Sequence, residues 1–451
     1  MQIIHARQAL TPDGWKDDIA VTLGDDGRIA RIAPQIGTAD CTVGLLLPAP
    51  VNLHSHAFQR AMAGLSEARS PNPADSFWTW RDLMYRFLTH LTPDDVEVIA
   101  AQVFMEMLEN GYGAVAEFHY LHHALGGTAY ADPAEMSARI IAAANRVGLG
   151  LTLLPVLYQY GGCDQRPLSG GQLRFGNTPE SYANLLNAIT PGAPDFILGV
   201  APHSLRATSP EALRDIAALR PDAPIHIHIA EQLAEVDEVQ AHRGARPVEW
   251  LLDNAALSPC WCAIHATQMT EGETTALAKS GTIAGLCPIT ESNLGDGIFN
   301  GTEFLAAGGG FGVGSDSNIH ITLFEELRVL EYSQRLRHKS RAALARPNAS
   351  TGHVLYIGAL AGGARAAGRN SGALAPGLWA DMVALATDNA FLCNRKGDMA
   401  LDTAIFAGHG PSCITDVWSA GRHKVQGGQH RDHASITRDF CATMAALQAR
   451  L

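Results

Sequence analysis

Val51-Asn52-Leu53-His54-Ser55-His56 is a short apolar run that ends in two histidines one residue apart. Successive side chains on a strand point to opposite faces, so His54 and His56 converge on one spot if the run is extended. Taken alone, His-x-His is more often a pair of ordinary polar residues than a ligand pair. Its surroundings change that reading. From about residue 43 to residue 320, short apolar runs recur, each followed by a polar or Gly-containing turn and then a longer helical pattern, which is the signature of βα units. The runs Val43 to Leu53, Ala114 to Phe118, Leu149 to Val156, Phe196 to Ala201, Ile225 to Ile229, Trp261 to Ile264, Thr282 to Leu286 and Phe311 to Gly314 are expected strands. Between them, Pro93 to Glu109, Asp132 to Val147, Pro179 to Ile189, Ser209 to Leu219 and Glu271 to Lys279 are expected helices, most opened by a Thr, Asp, Ser or Pro start signal. Eight such alternations predict a closed (β/α)8 TIM-like barrel, whose site is built at the C-terminal ends of its strands.

The flanks have another character. Gln2 to Ile32, with turns at Pro12-Asp13-Gly14 and Asp25-Asp26-Gly27, reads as short strands, as do Met382 to Leu385 and Asp416 to Val425. Both chain ends are therefore expected to pair into a small β-sandwich domain. The division is 1–48 with 372–451 for that domain and 49–371 for the barrel. A chain of 451 residues is long enough for a large core and a satellite.

Composition narrows the partners. With 47% hydrophobic and 17% charged residues the chain is an ordinary globular one leaning apolar, and its net charge of −12 argues against nucleic acid or an anionic membrane surface. A small-molecule partner fits better. The first 34 residues carry no secretory pattern and no run approaches a membrane span, so a soluble, cytoplasmic protein is expected. Eight cysteines spread along the chain read as reduced thiols; Cys260 and Cys262, two apart on an apolar run, read as strand residues rather than ligands.

At the barrel mouth the expected strands place more candidates beside His54 and His56: His228 after strand five, His265 after strand six and Asp316 after strand eight. Each histidine alone is more often a satisfied core or loop residue, but five such residues at one mouth point to a metal site. His54, His56, His228 and Asp316 are the expected ligands of one divalent ion. Imidazole nitrogens and a carboxylate suit Zn2+ first and Fe2+ second, with an open position for a water whose pKa falls toward neutrality. Glu231, three residues past His228, is placed to relay a proton to a departing amine. A two-metal site of this barrel type often needs a bridging lysine on strand four. Lys16, Lys279, Lys339, Lys396 and Lys424 all lie elsewhere, so one metal is favoured.

These residues resemble the amidohydrolase superfamily, and more narrowly its mononuclear deaminase branch, with a glutamate three residues after the strand-five histidine. The run from Gly372 to Val383 looks like that family's return from the barrel to the small β domain. Asn52 to Leu65, together with Phe77-Trp78-Thr79-Trp80-Arg81, resembles the formimidoylglutamate deiminase family of histidine degradation. The resemblance implies hydrolysis of N-formimidoyl-L-glutamate to N-formyl-L-glutamate and ammonia. In that reading Asp316 takes a proton from the attacking water, His265 orients and polarises the water, and Glu231 protonates the leaving nitrogen. A dicarboxylate substrate calls for arginine forks and hydroxyl or amide donors. Arg206, Arg81, Tyr120, His203 and Gln59 supply them as a set on this reading, although each alone is more often a structural or surface residue. Fold analogy implies a homodimer.

Two other readings stay open. Phe77, Trp78 and Trp80 would suit an aromatic-ring substrate, guanine- or triazine-like, of a related deaminase or chlorohydrolase. A barrel that kept only its shape would be a non-catalytic scaffold, and metal content separates it from an enzyme.

Overall fold

The computed structural model describes residues 1–67, 77–408 and 410–450, with side chains for all of these except 77–82, 410 and 411. Four strands open the chain: β1 (Gln2–Thr11), β2 (Gly14–Leu23), β3 (Ile29–Pro34) and β4 (Cys41–Pro48). The barrel follows with β5 (Val51–Ser55), β6 (Ala114–His119), β7 (Gly150–Leu157), β8 (Ile197–Leu198), β9 (Ala201–Pro202), β10 (Ile225–Ile229), β11 (Trp261–His265), β12 (Ile283–Leu286) and β13 (Gly310–Val313). The chain then returns through β14 (Met382–Leu385), β15 (Ile414–Ser419), β16 (Arg422–Gln426) and β17 (Gln429–His430).

The barrel strands pair in parallel as β5-β6-β7-β8, with β9 also on β7, and as β10-β11-β12-β13. Backbone bonds close both seams. His226 donates to the Val200 carbonyl and His228 to the His203 carbonyl on one side. On the other, Asp316 donates to the His54 carbonyl and His56 donates to the Asp316 carbonyl, each at 2.9 Å. Leu53, Cys262, Ile264, Ile283 and Cys287 fill the interior together with Ala366. Glycine makes room for them: a Cβ at Gly312 would lie 2.2 Å from the Leu53 side chain.

The two chain ends share one sheet of eight strands, ordered β17-β16-β15-β14-β4-β1-β2-β3. Period-two burial gives β4 and β14 two apolar faces. Leu46, Met382 and Ala384 join Ile4, Val21, Ile29 and Trp418 in the sheet's own core, whereas Leu45, Leu47, Val383 and Leu385 face the barrel core. This is the small β domain expected from the two β-rich ends.

Two local expectations are corrected. The run Val43 to Leu53 is two strands, β4 and β5, separated by Ala49-Pro50, because a proline cannot donate to a ladder and breaks the extension there. The fourth barrel strand is two fragments around Gly199-Val200. The stretch Asp416 to Val425 is made of short strands as expected, a hairpin whose turn is Ala420-Gly421. The helices agree more closely: Pro93–Glu109 has the expected bounds, and Thr92 and Asp95 cap it reciprocally. A C-terminal helix, His433–Gln448, packs against it. Among the described residues no helix is long and apolar enough to cross a membrane.

Candidate metal centre and catalytic cleft

At the C-terminal ends of the barrel strands the Nε2 atom of His54 lies 3.2 Å from His56 Nε2 and 3.1 Å from His228 Nε2. Asp316 Oδ1 completes the group at 3.2 Å from His56 and 3.5 Å from His54. Orientation comes from the far side of two rings: His56 Nδ1 donates to the Phe118 carbonyl at 2.9 Å and His228 Nδ1 to the His203 carbonyl at 3.2 Å. With those protons committed, the Nε2 atoms of His56 and His228 present lone pairs to one another and to a carboxylate. Such groups repel one another unless a cation lies between them. One atom from each of His54, His56, His228 and Asp316 falls within 4.8 Å of the others, and all four residues are buried. Burial pushes the His54 ring down to about 3 and the His228 ring well below its usual range, so both stay neutral as ligation requires. The donor set fits a zinc-type ion.

The backbone bends sharply at this rim. Ala230, His265, Ala266, Asp316 and Asn318 all have positive φ, between 46° and 68°. These are costly conformations outside glycine, and they are held by what surrounds them. Asn52 accepts from the Ser315 N–H at 3.0 Å and donates to Ser315 Oγ at 2.7 Å; Asn318 donates to the Asp316 carbonyl at 3.1 Å and to Ser55 Oγ at 3.1 Å. The turn carrying Asp316 is thereby tied to the strand carrying His54. On the neighbouring strand, Glu117 accepts the Ala57 N–H at 2.7 Å and so fixes the turn that follows His56.

Beside the four ligand candidates, His265 Nε2 lies 3.8 Å from Glu231 Oε1, and its Nδ1 lies 3.3 Å from Glu291 Oε1. Burial opposes a charge on this ring, but Glu231, Glu291 and Asp316 outweigh it and hold the imidazolium well above its usual range. Burial, reinforced by Asp316 and Glu235, pushes the Glu231 carboxyl up to about 7. Glu291 also accepts the Cys287 N–H at 2.8 Å. Neither Glu291 nor Glu117 could be singled out from the sequence, since no ligand-like spacing marks them; the weak signal for Glu291 is a helix opening at Pro288, directly after strand seven.

A cleft of about 650 Å³, open to solvent, rises from this floor, with Gln59, Tyr120, His203, Arg206 and Glu231 among its lining residues. Gln59 donates to Tyr120 Oη at 2.5 Å. The Tyr120 ring packs edge-on to Phe175, with centroids 4.7 Å apart, and His203 lies 4.4 Å from the Tyr158 ring. The structure thus brings Gln59, Tyr120, His203 and Arg206 to the same cleft as Glu231, His265 and Asp316. The side chains of Arg81, Phe77, Trp78 and Trp80 lie outside the described residues. Cys262 is buried in the barrel interior, as its strand reading expects.

Residues 45–424 match the Amidohydrolase family. The chain belongs to that family. Residues 1–39 of this amidohydrolase also match the N-terminal domain described as formimidoylglutamate deiminase HutF. It is 48% identical to formimidoylglutamate deiminase of Pseudomonas aeruginosa, over 99% of this chain and 100% of the relative. It is 28% identical to a 5-methylthioadenosine/S-adenosylhomocysteine deaminase of Natronomonas pharaonis, over 78% of this chain and 75% of that one. Among solved structures, an amidohydrolase from Brucella melitensis superimposes with a TM-score of 0.94 at 48% identity, covering 99% of this chain and 100% of that one. A zinc-bound adenosine deaminase from Xanthomonas campestris shares the fold alone, with a TM-score of 0.81 at 21% identity over 99% and 98% of the two chains.

Proposed function

We propose that this amidohydrolase hydrolyses N-formimidoyl-L-glutamate to N-formyl-L-glutamate and ammonia. The observation that carries the chemistry is the convergence of three imidazoles and a carboxylate beside the Glu231–His265 pair on the cleft floor. The full-length likeness to the Pseudomonas aeruginosa deiminase narrows the substrate. His54, His56, His228 and Asp316 would hold one zinc ion, which when bound would lower the pKa of a water toward neutrality and polarise the bond under attack.

The chain's own groups do the rest. His265, kept in place by Glu291, donates from Nε2 to the attacking water, and Asp316 accepts the proton that water gives up. The water oxygen bonds to the formimidoyl carbon. Glu231, whose carboxyl keeps its proton up to about pH 7 because it is buried, passes that proton to the imine nitrogen. Asp316 then returns its proton to that nitrogen while the new hydroxyl gives its own to the Glu231 carboxylate; the carbon–nitrogen bond breaks, its electron pair leaves with ammonia, and the carbon is left as a formyl group. Replacing Glu231 with Gln keeps the shape and removes the acid, so kcat should fall about 10²- to 10⁴-fold at unchanged zinc content. A variant with parental kcat would remove Glu231 from that role.

Arg206, with Gln59, Tyr120, His203 and Arg81, binds the substrate's carboxylates. A hydrogen bond to a charged group contributes about 1.5–3 kcal/mol, so Arg206→Ala should raise KM for the formimidoyl substrate by about 10- to 100-fold. Unaltered KM would place the carboxylates elsewhere. The reading as a whole is tested by ammonia release from the zinc-loaded protein offered N-formimidoyl-L-glutamate, with guanine and cytosine as controls. Release from the formimidoyl compound alone is expected. Release from a ring only, or from nothing although zinc is bound, would overturn the substrate.

A further inference from the structure

Cys287 has no part in the reaction just proposed, yet it lies at its edge. It follows β12, between β11, which ends in His265, and β13, which leads to Asp316. Three neighbouring strands therefore deliver an imidazole, a thiol and a carboxylate to one side of the mouth, and one ligand atom from each lies within 4.8 Å of the others. All three residues are buried, with Cys287 at 0% exposure. Asp316 is common to both groups: its Oδ1 faces His54 and His56, and a carboxylate oxygen lies within 4.8 Å of a His265 nitrogen and the Cys287 thiol.

The electrostatics around this trio favour a cation. Glu291 reaches both His265 and the Cys287 N–H. Glu326 is fully buried and close by; one of its oxygens accepts the Ile289 N–H at 2.9 Å, while the other has no hydrogen-bond partner. Burial, with Glu291 and Asp316 adding to it, pushes the Glu326 carboxyl well above its usual range. A divalent ion would relieve that crowding of acids. Thiolate, imidazole and carboxylate together suit a borderline-soft ion such as Zn2+ or Cd2+, and do not suit Mg2+.

We infer that a second soft divalent ion binds at His265, Cys287 and Asp316, and that it stops hydrolysis by occupying the two side chains that hold and deprotonate the attacking water. The blocking half of this rests on the reaction proposed above; the binding half does not. Binding must displace the thiol proton and one proton of the His265 ring, whose two nitrogens face Glu231 and Glu291. The second site is accordingly weaker than the first and fills only when metal is in excess.

The test titrates the protein carrying one equivalent of zinc with Cd2+, following the ultraviolet charge-transfer band of a cadmium thiolate and the hydrolysis rate in the same samples, with Mg2+ as the hard-ion control. The band should rise as hydrolysis falls, and Mg2+ should do neither. Cys287→Ser should keep basal hydrolysis, lose the part of the band due to this site, and need at least about tenfold more cadmium for the same inhibition. Cys287→Ala, checked by circular dichroism, serves if the serine variant misfolds. Equal bands and equal inhibition in parent and variant would overturn the site. A Cys287-dependent band with hydrolysis untouched would overturn the blocking. Because absorbance needs no turnover, a Cys287-dependent band in a protein that hydrolyses nothing would leave the site standing and sink the proposed reaction alone.

Discussion

Asp316→Asn is expected to lower kcat by on the order of 10³- to 10⁴-fold, the size of effect that follows loss of a positioned general base, while the protein stays folded. The two halves of that statement rest on different atoms. The turn is held by backbone and neighbour contacts that do not use the carboxylate: the Asp316 N–H to the His54 carbonyl, the His56 N–H to the Asp316 carbonyl, and the Asn318 amide to the same carbonyl. Asparagine also tolerates the positive φ of 46° found there better than most residues do. What is lost is the negative charge. Burial opposes that charge, but the contacts with His54 and His56 hold the carboxyl well below its usual range, so in the parent it is ionised and able to accept a proton. An amide of the same shape accepts none, and its NH2 group would face imidazole lone pairs. Ammonia release, zinc content by mass spectrometry and thermal melting decide the matter together. A zinc-replete Asn variant that hydrolyses at the parental rate would remove Asp316 as the base.

The legible part of the molecule was the part governed by short-range geometry. His54 and His56 could be paired in space because strand side chains repeat every second residue. His228, His265 and Asp316 could join them because each ends an apolar run in a regular series, and in a parallel barrel all such ends meet at one rim. The two β-rich ends could be assigned to one domain from their turns. What stayed hidden depends on the third dimension. Pro50 splits one apolar run between two domains, and apolarity alone does not tell a strand of the small sheet from a strand of the barrel. Glu291 orients His265 from the short helix after another strand, 26 residues away, and Glu117 supports the His56 turn from 60 residues away. Cys287 looked like any reduced thiol until β11 and β13 were placed on either side of it. No spacing rule reaches across those separations.

The same limit concealed Arg369, whose replacement by Ala should destabilise the protein more than any change at the cleft. Its guanidinium is buried and joins three parts of the chain. Nε and Nη2 reach the two Asp381 oxygens at 2.6 and 3.0 Å, and Nη2 and Nη1 reach the Asp195 carboxylate and carbonyl at 2.9 and 3.1 Å. Asp195 precedes the fourth barrel strand and Asp381 precedes β14, so the arginine fastens the barrel to the small sheet. Gly150 permits the close fit: a Cβ there would lie 2.5 Å from Nη2. Removing one partner of a buried ion pair costs about 3–5 kcal/mol, because the remaining charge is buried without compensation. In a chain of this size that corresponds to a melting temperature lower by roughly 3–5 °C. The cost should fall mainly on Asp381. Asp195 keeps Arg422, at 2.7 and 2.8 Å, whereas Asp381 keeps only the Ala420 N–H, at 2.7 Å, among its described side-chain contacts. Pairing Arg369→Met with Asp381→Leu should therefore recover a good part of the loss, by removing the stranded charge together with its partner. Thermal melts of the two variants beside the parent measure both effects. If the single variant melted within about a degree of the parent, the ion pair would not be what fastens the two domains; if the double variant melted no higher than the single, the penalty would lie in lost packing rather than in an uncompensated charge.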